Sequence, residues 1–332
     1  MKKLLFMVGL ILSSCSEAST TDPISPEIFN DTNPAGEVEF FGHLKVTEGK
    51  LTNSDGEPVM LRGVSFGWHN WWPRFYNASA VQFLKSNWNA NLVRAAMGVD
   101  PSGAYLENPD FALEKIKAVV DAAIAEDMYV IIDWHSHDLY PEQAKKFFVE
   151  MAKTYGENPH VIYELFNEPD FETWEEVKAY SEDIITEIRK YDPDNLILVG
   201  SPNWSQDIQI VAENPILNQE NIMYVLHFYA ATHKDYLRER ADKVFENGLP
   251  IFVTECAGME ASGDGAIDTD SWNAWIDWME SRNVSWAAWS IADKDETCSM
   301  ILPDASSNGN WTDSQIKPWG KLVKRALEKN LE

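Results

Sequence analysis

Ile162-Tyr163-Glu164-Leu165-Phe166 is an apolar, strand-like run that stops abruptly at Asn167-Glu168-Pro169, and Pro250-Ile251-Phe252-Val253-Thr254 is another that ends on Glu255. Carboxyl groups at the ends of two buried strands suit cleavage of a glycosidic bond. One protonates the leaving oxygen, the other attacks or activates water, and rigid strands hold the two at a fixed separation. Asn-Glu-Pro is also good turn chemistry, so Glu168 taken alone also reads as a solvated loop start.

The elements that must position these groups are legible from periodicity. His43–Val46 and Lys50–Thr52 flank Thr47-Glu48-Gly49 as a hairpin, expected to cap one end of the fold. Eight short β-branched or apolar runs follow, at 59–65, 91–97, 129–134, 161–166, 196–200, 223–228, 251–254 and 284–289. Helical patterns alternate with them. Ile116, Val119, Val120, Ala123 and Ile124 follow the spacing of one buried helix face, as do residues in 182–190, 234–247 and 271–281. Eight strand-then-helix units predict a (β/α)8 barrel, with the hairpin at its bottom. A doubly wound open sheet is the rival, weakened because no glycine-rich phosphate fingerprint follows the first strand. Catalytic groups of a barrel gather at the C-terminal strand ends. There this assignment places Arg94, His135, Asn167, Glu168, His227, Tyr229, Glu255 and Trp289.

Composition narrows the partner. A formal charge of −26 over 332 residues repels nucleic acid and anionic membrane surfaces. The 14 Trp, 11 Tyr and 15 Phe fit a protein that packs the apolar faces of sugar rings, although they serve a core equally well. Lys2 and Lys3 before the apolar run Leu4–Leu12 read as an export signal too short to span a bilayer. Leu12-Ser13-Ser14-Cys15 resembles the bacterial lipobox. The organisation expected is therefore a lipoprotein signal peptide at 1–14, a lipidated Cys15 with a polar tether at 15–41, and one catalytic domain at 42–332. That chain would be anchored to a bacterial membrane, the outer one or the cell surface, with a soluble secreted form as the alternative. Cys256 and Cys298 are read either as a bridge between the loops after strands seven and eight or as two free thiols. No Cys/His cluster has metal-ligand spacing, so no metal or cofactor is expected, and nothing demands more than a monomer.

With these residues in view, the chain resembles glycoside hydrolase family 5, in its bacterial endoglucanase branch, from about Gly42 to Trp319. The motifs carrying the resemblance are Leu61-Arg62-Gly63-Val64-Ser65, Asn91-Leu92-Val93-Arg94, Ile131-Ile132-Asp133-Trp134-His135, Asn167-Glu168-Pro169, His227-Phe228-Tyr229-Ala230, Val253-Thr254-Glu255 and Trp289-Ser290-Ile291-Ala292-Asp293-Lys294. It implies a retaining endo-β-1,4-glucanase in which Glu168 is the acid/base and Glu255 the nucleophile. Arg94 and Tyr229 would hold the nucleophile, Asn167 would bind the sugar 2-hydroxyl, and His135 and His227 would bind sugar and orient the site. Trp289 and Lys294 would contact sugar on the non-reducing side. Trp71 would be a second aromatic platform, with Trp68 and Trp72 as rivals for that place. Where many relatives carry a histidine after the first strand, this chain has Gly67, and His69 is a candidate substitute at the substrate. A β-mannanase or mixed-linkage glucanase is the nearest competing reading. A non-catalytic glycan-binding lipoprotein is the reading from another class.

Overall fold

The computed structural model describes residues 41–329; the expected export signal, Cys15 and the expected tether before residue 41 lie outside the described residues. β1 (Lys45–Thr47) and β2 (Lys50–Thr52) form the antiparallel hairpin. Eight parallel strands then close a barrel: β3 (Arg62–Phe66), β4 (Leu92–Gly98), β5 (Tyr129–His135), β6 (Val161–Glu164), β7 (Ile197–Val199), β8 (Ile222–Tyr229), β9 (Ile251–Ala257) and β10 (Trp286–Ile291), with β10 paired back to β3. A helix follows every strand: α1 (Ala78–Trp88), α2 (Pro109–Ala125), α3 (Pro141–Tyr155), α4 (Trp174–Ile188), α5 (Ile208–Glu213), α6 (Asp235–Glu246), α7 (Thr269–Arg282) and α8 (Pro318–Glu328). This is the expected (β/α)8 barrel.

Local chemistry sets the helix starts. Asn77 caps α1 by accepting from the Ala80 amide, Thr173 and Glu176 form a reciprocal capping box on α4, and prolines open α2, α3 and α8. On α2 the anticipated stripe Ile116, Val119, Val120 and Ala123 is buried. Arg62 in β3 is bound in a bidentate pair by Glu280 of α7, at 2.8 and 2.6 Å, and so ties the barrel to its helical shell.

The hairpin closes the bottom. The Val46 amide donates to Asn221 just before β8, and a Cβ on Gly49 would stand 2.5 Å from the Gly248 carbonyl just before β9. Gly49 also has φ +76°, so both its backbone and its close approach require glycine. Above the hairpin, Leu44, Leu51, Val59 and Leu61 pack with Leu92, Tyr129, Ile131, Ile162, Met223, Val225 and Phe252 in one apolar cluster, separate from the cluster between barrel and helices.

The alternation of side chains along a strand carries this inner column upward into polar rungs. Leu92 is followed on the same face by Arg94, Ile131 by Asp133 and His135, Ile162 by Glu164, and Val225 by His227 and Tyr229. β9 breaks the alternation. Val225 pairs with Phe252 but His227 pairs with Glu255, so two steps along β8 match three along β9. The same offset recurs against β10, where Trp286 pairs with Val253 and Ala288 with Cys256. This β-bulge lets two consecutive residues, Thr254 and Glu255, both face the site.

Candidate active site

Arg94 is the hub. It is wholly buried, and its guanidinium donates to Glu164 at 2.8 and 3.2 Å, to Glu255 at 3.1 Å and to the Asn167 side-chain oxygen at 2.6 Å, with Asp133 at 2.9 Å. Burial opposes its charge, but Asp133, Glu164 and Glu255 hold the proton on. Glu255 also accepts from the Tyr229 hydroxyl at 2.6 Å. Burial and the facing Glu168 charge push the Glu255 carboxyl above its ordinary range, while His227, Arg94 and Tyr229 pull the other way. Glu255 lies inside β9, two residues before its end, rather than just beyond the strand.

Glu168 stands opposite. One of its oxygens, one nitrogen of His227 and one oxygen of Glu255 lie within 4.8 Å of one another. Glu168 Oε1 meets His227 Nδ1 at 2.9 Å, and Oε2 meets Nε2 of the half-exposed His137 at 3.2 Å. Burial would raise the Glu168 pKa, but the hydrogen bonds from His137 and His227 outweigh it and hold the carboxyl at about 2. His227 shows the reverse. Burial would lower its pKa, yet its bonds to Glu164 and Glu168 raise it to about 9. At neutral pH the resting pair is therefore imidazolium and carboxylate, with the proton on His227. Glu168 is thus held low and Glu255 pushed up, the reverse of the order that a protonated acid at Glu168 and a resting anion at Glu255 require, while His227 beside Glu168 favours its protonated form.

The remaining expected residues fall on two sides of this pair. Asn167 is buried; its oxygen is bound by Arg94 while its Nδ2 has no partner among the described residues, leaving a donor free for a hydroxyl. His135 Nδ1 meets Asp133 Oδ2 at 2.6 Å, and burial, with the Arg94 charge, holds the ring's pKa well below its ordinary value and so keeps it neutral. Trp289 stacks parallel to His135, with ring centres 5.1 Å apart. Trp68 meets the same imidazole edge-on at 4.3 Å and packs beside Trp71 at 4.7 Å. Trp71 is 52% exposed, the most exposed of the three tryptophans. Trp72 is a rim residue whose ring fills the space that Gly67 leaves, 2.7 Å from where a Cβ would stand. Lys294 is exposed and paired with Glu296 at 2.8 Å.

His69 is corrected by the structure. It is wholly buried, its Nδ1 accepts from the Gly98 amide at 3.0 Å, and its ring packs near Tyr76 and Phe111. It supports the loop bearing Trp68 and presents nothing to a substrate. The bridge between Cys256 and Cys298 is also absent: both are buried free thiols, and Cys256 Sγ is engaged with the Ala287 carbonyl across the β9–β10 pair.

Five further residues belong to the site. Glu164 and Asp133 were legible in principle, as charges inside apolar strands on the face shared with Ile162 and Ile131. Thr254, on the same face of β9 as Phe252, bridges His227 Nε2 at 2.8 Å and Glu164 at 2.6 Å. His137 follows His135 by two residues in Trp134-His135-Ser136-His137. Trp204 had no local signal. Asn203, Trp204 and Ser205 adopt φ of +58°, +54° and +55°, an unfavourable left-handed run held by the Trp204 amide on the Pro169 carbonyl and the Ser205 hydroxyl on the Asn167 carbonyl. It turns Trp204 to the mouth of a cavity of about 380 Å³ lined by Glu168, Asn203, Gln206, His227, Tyr229 and His233. The 87%-exposed Phe171 stands 6.5 Å from the Trp204 ring. Around the two carboxyl groups the aromatic rings thus form two groups, Trp68, Trp71, His135 and Trp289 in contact with one another, and Trp204 with Phe171 at the cavity that Glu168 lines.

Comparison with known proteins agrees with this geometry. Residues 52–295 match the family model described as Cellulase (glycosyl hydrolase family 5). An endoglucanase of Clostridium saccharobutylicum is 43% identical over 300 residues, 88% of this chain and 66% of that protein. Endoglucanase Z of Dickeya dadantii is 44% identical over 272 residues, 80% of this chain and 62% of that protein. The chain spans less than two thirds of the length of these curated relatives. Among solved structures, one from Cytophaga hutchinsonii superposes with a TM-score of 0.87 at 44% identity, over 89% of this chain and 97% of that one. The catalytic domain of a Thermobifida fusca endoglucanase, solved as a complex with cellotetraose, superposes with a TM-score of 0.83 at 33% identity, over 88% of this chain and all of that one.

Proposed function

The chain belongs to glycosyl hydrolase family 5, and from that premise we propose that it is a retaining endo-β-1,4-glucanase. The observation that carries this reading is the closeness of Glu168 and Glu255, whose nearest carboxylate oxygens lie within 4.8 Å. An inverting pair stands roughly 6.5–9.5 Å apart to admit a water between acid and base, whereas a double displacement needs about 5–5.5 Å. In this reading Glu255 attacks the anomeric carbon and forms the glycosyl-enzyme. Glu168 first protonates the leaving oxygen and then takes a proton from the water that hydrolyses the intermediate. Arg94 and Tyr229 aim the Glu255 oxygens, and the free Nδ2 of Asn167 supplies a 2-hydroxyl contact that tightens as positive charge develops on the ring.

Exposed aromatic rings in two separate groups, Trp71 in one and Trp204 with Phe171 in the other, suit a sugar chain that extends past the site. The names of the relatives support a cellulosic substrate over mannan. Two intact carboxyl groups so close together speak against a purely binding role. Glu255→Ala is expected to abolish release of reducing sugar from carboxymethylcellulose while the folded protein still melts cooperatively. A rate equal to that of the parent would sink the assignment. For the parent, proton NMR of freshly cleaved cello-oligosaccharide should show the β-anomer first.

A further inference from the structure

His227 touches Glu168 through Nδ1, and its other nitrogen faces away from the cleft. Nε2 lies 2.8 Å from the Thr254 hydroxyl, which in turn lies 2.6 Å from Glu164 Oε1. Glu164 is an acceptor at both oxygens because the Arg94 guanidinium donates to it at 2.8 and 3.2 Å. The Thr254 hydroxyl has one proton, and a carboxylate paired with arginine cannot return one, so that proton points at Glu164. Thr254 Oγ1 must then accept from His227, and Nε2 must carry a proton in either state of the ring. A proton fixed on Nε2 leaves Nδ1 either accepting from a protonated Glu168 or donating to an ionised one. These are two descriptions of one shared proton.

We infer that Glu164 and Thr254 are positioning residues that lock the His227 tautomer, so that His227 and Glu168 together hold the proton delivered to the leaving group. This deepens the glucanase reading and rests on it. The proton count balances at each step. The loaded pair gives its proton to the glycosidic oxygen and becomes neutral imidazole, protonated on Nε2, facing the Glu168 carboxylate. In the second half-reaction the water loses a proton to Glu168 as its oxygen bonds the anomeric carbon, and the pair is loaded again. Without the lock, neutral His227 could place its proton on Nδ1, donate it to the Glu168 carboxylate, and stay unloaded.

The charges around the ring agree. The His227 ring feels the carboxylates Glu164 of β6, Glu168 after it and Glu255 of β9, and it neighbours the neutral rings of His135 of β5 and His233 beyond β8. His137 meets Glu168 from the solvent side. These carboxylates raise the pKa of the His227 ring against the opposing effect of burial and so favour its protonated form.

Thr254→Val keeps the shape and removes the hydroxyl. Losing a bond to a charged group should move the alkaline limb of kcat/KM down by about one to two pH units. Thr254→Ser should restore it, and the acid limb should stay in place. Glu164→Gln, which leaves Arg94 its Asp133 and Glu255 partners, should move the limb the same way and serves if the valine variant does not fold. Nitrogen NMR of the histidine rings in the full chain gives a readout independent of turnover, with the His227 titration lower in Thr254→Val by the same amount. An unmoved titration, or a rate lowered equally at every pH, overturns the inference. A parent protein inactive on cellulosic substrates at every pH overturns the glucanase reading instead, while the titration still tests the tautomer lock.

Discussion

Glu168 and Asn167 are neighbours in the chain and do opposite things in the site. Glu168 is bonded to His227 at 2.9 Å, with which it shares a proton in the proposed reading, whereas Asn167 has its oxygen fixed by Arg94 at 2.6 Å and its amide nitrogen without a partner among the described residues. Because that contact matters most as the oxocarbenium-like state forms, Asn167→Ala is expected to lower kcat by about a hundredfold or more, the range seen when one oriented donor is removed, with little change in KM. Steady-state kinetics on a soluble cello-oligosaccharide checks this. A rise in KM at constant kcat would make Asn167 a ground-state binder only. At this scale the sequence was informative wherever residue type alone constrains chemistry, as at Glu168, Glu255, Arg94 and Tyr229. It misled at His69, because a histidine beside three tryptophans reads as a ligand until the Gly98 amide is found on its Nδ1.

At the scale of elements, what positions the chemistry is the junction of β3 with its neighbours and the bulge in β9. Gly63 pairs with Leu92 across β3 and β4, and a Cβ there would stand 1.8 Å from the Leu92 carbonyl oxygen, closer than any contact the ladder can absorb. Gly63→Ala should push β3 off β4, costing about 1–3 kcal/mol, as overpacking in a tight core does. That corresponds to a fall in Tm of several degrees, roughly 2–4 °C per kcal/mol for a large domain. Thermal unfolding followed by circular dichroism measures it, and an unchanged Tm would contradict the close approach. The strands themselves were readable from apolar runs to within a few residues, since buried parallel strands are short and bounded by turns. The bulge was not. Phe252-Val253-Thr254-Glu255 has no glycine or proline to mark an extra residue, and only pairing with β8 and β10 reveals it.

For the whole molecule the dominant quantity is the formal charge of −26. A polyanionic substrate is repelled over a Debye length that falls from about 30 Å at 0.01 M salt to about 8 Å at 0.15 M. Raising salt across that range should increase kcat/KM on carboxymethylcellulose at least about twofold and leave neutral cellotetraose unchanged. A parallel change on both substrates would show that salt acts on the protein rather than on the encounter. The same repulsion fits the reading that nucleic acid is no partner of this chain.

What the sequence by itself determined is the repeating strand-and-helix plan and the placing of Glu168, Glu255 and most of the polar rungs at or near strand ends, because periodicity and residue type are local properties. Tertiary structure alone decided which of Trp68, Trp71 and Trp72 is the most exposed, since that depends on the space left by Gly67 and the ring of His135. It alone set Trp204 at the cavity, through a left-handed turn held by Pro169 and Asn167. It alone joined Glu164, Thr254 and His227 into one chain of hydrogen bonds. Three separate strands supply those residues, and only barrel closure brings them within 3 Å of one another in sequence of contact.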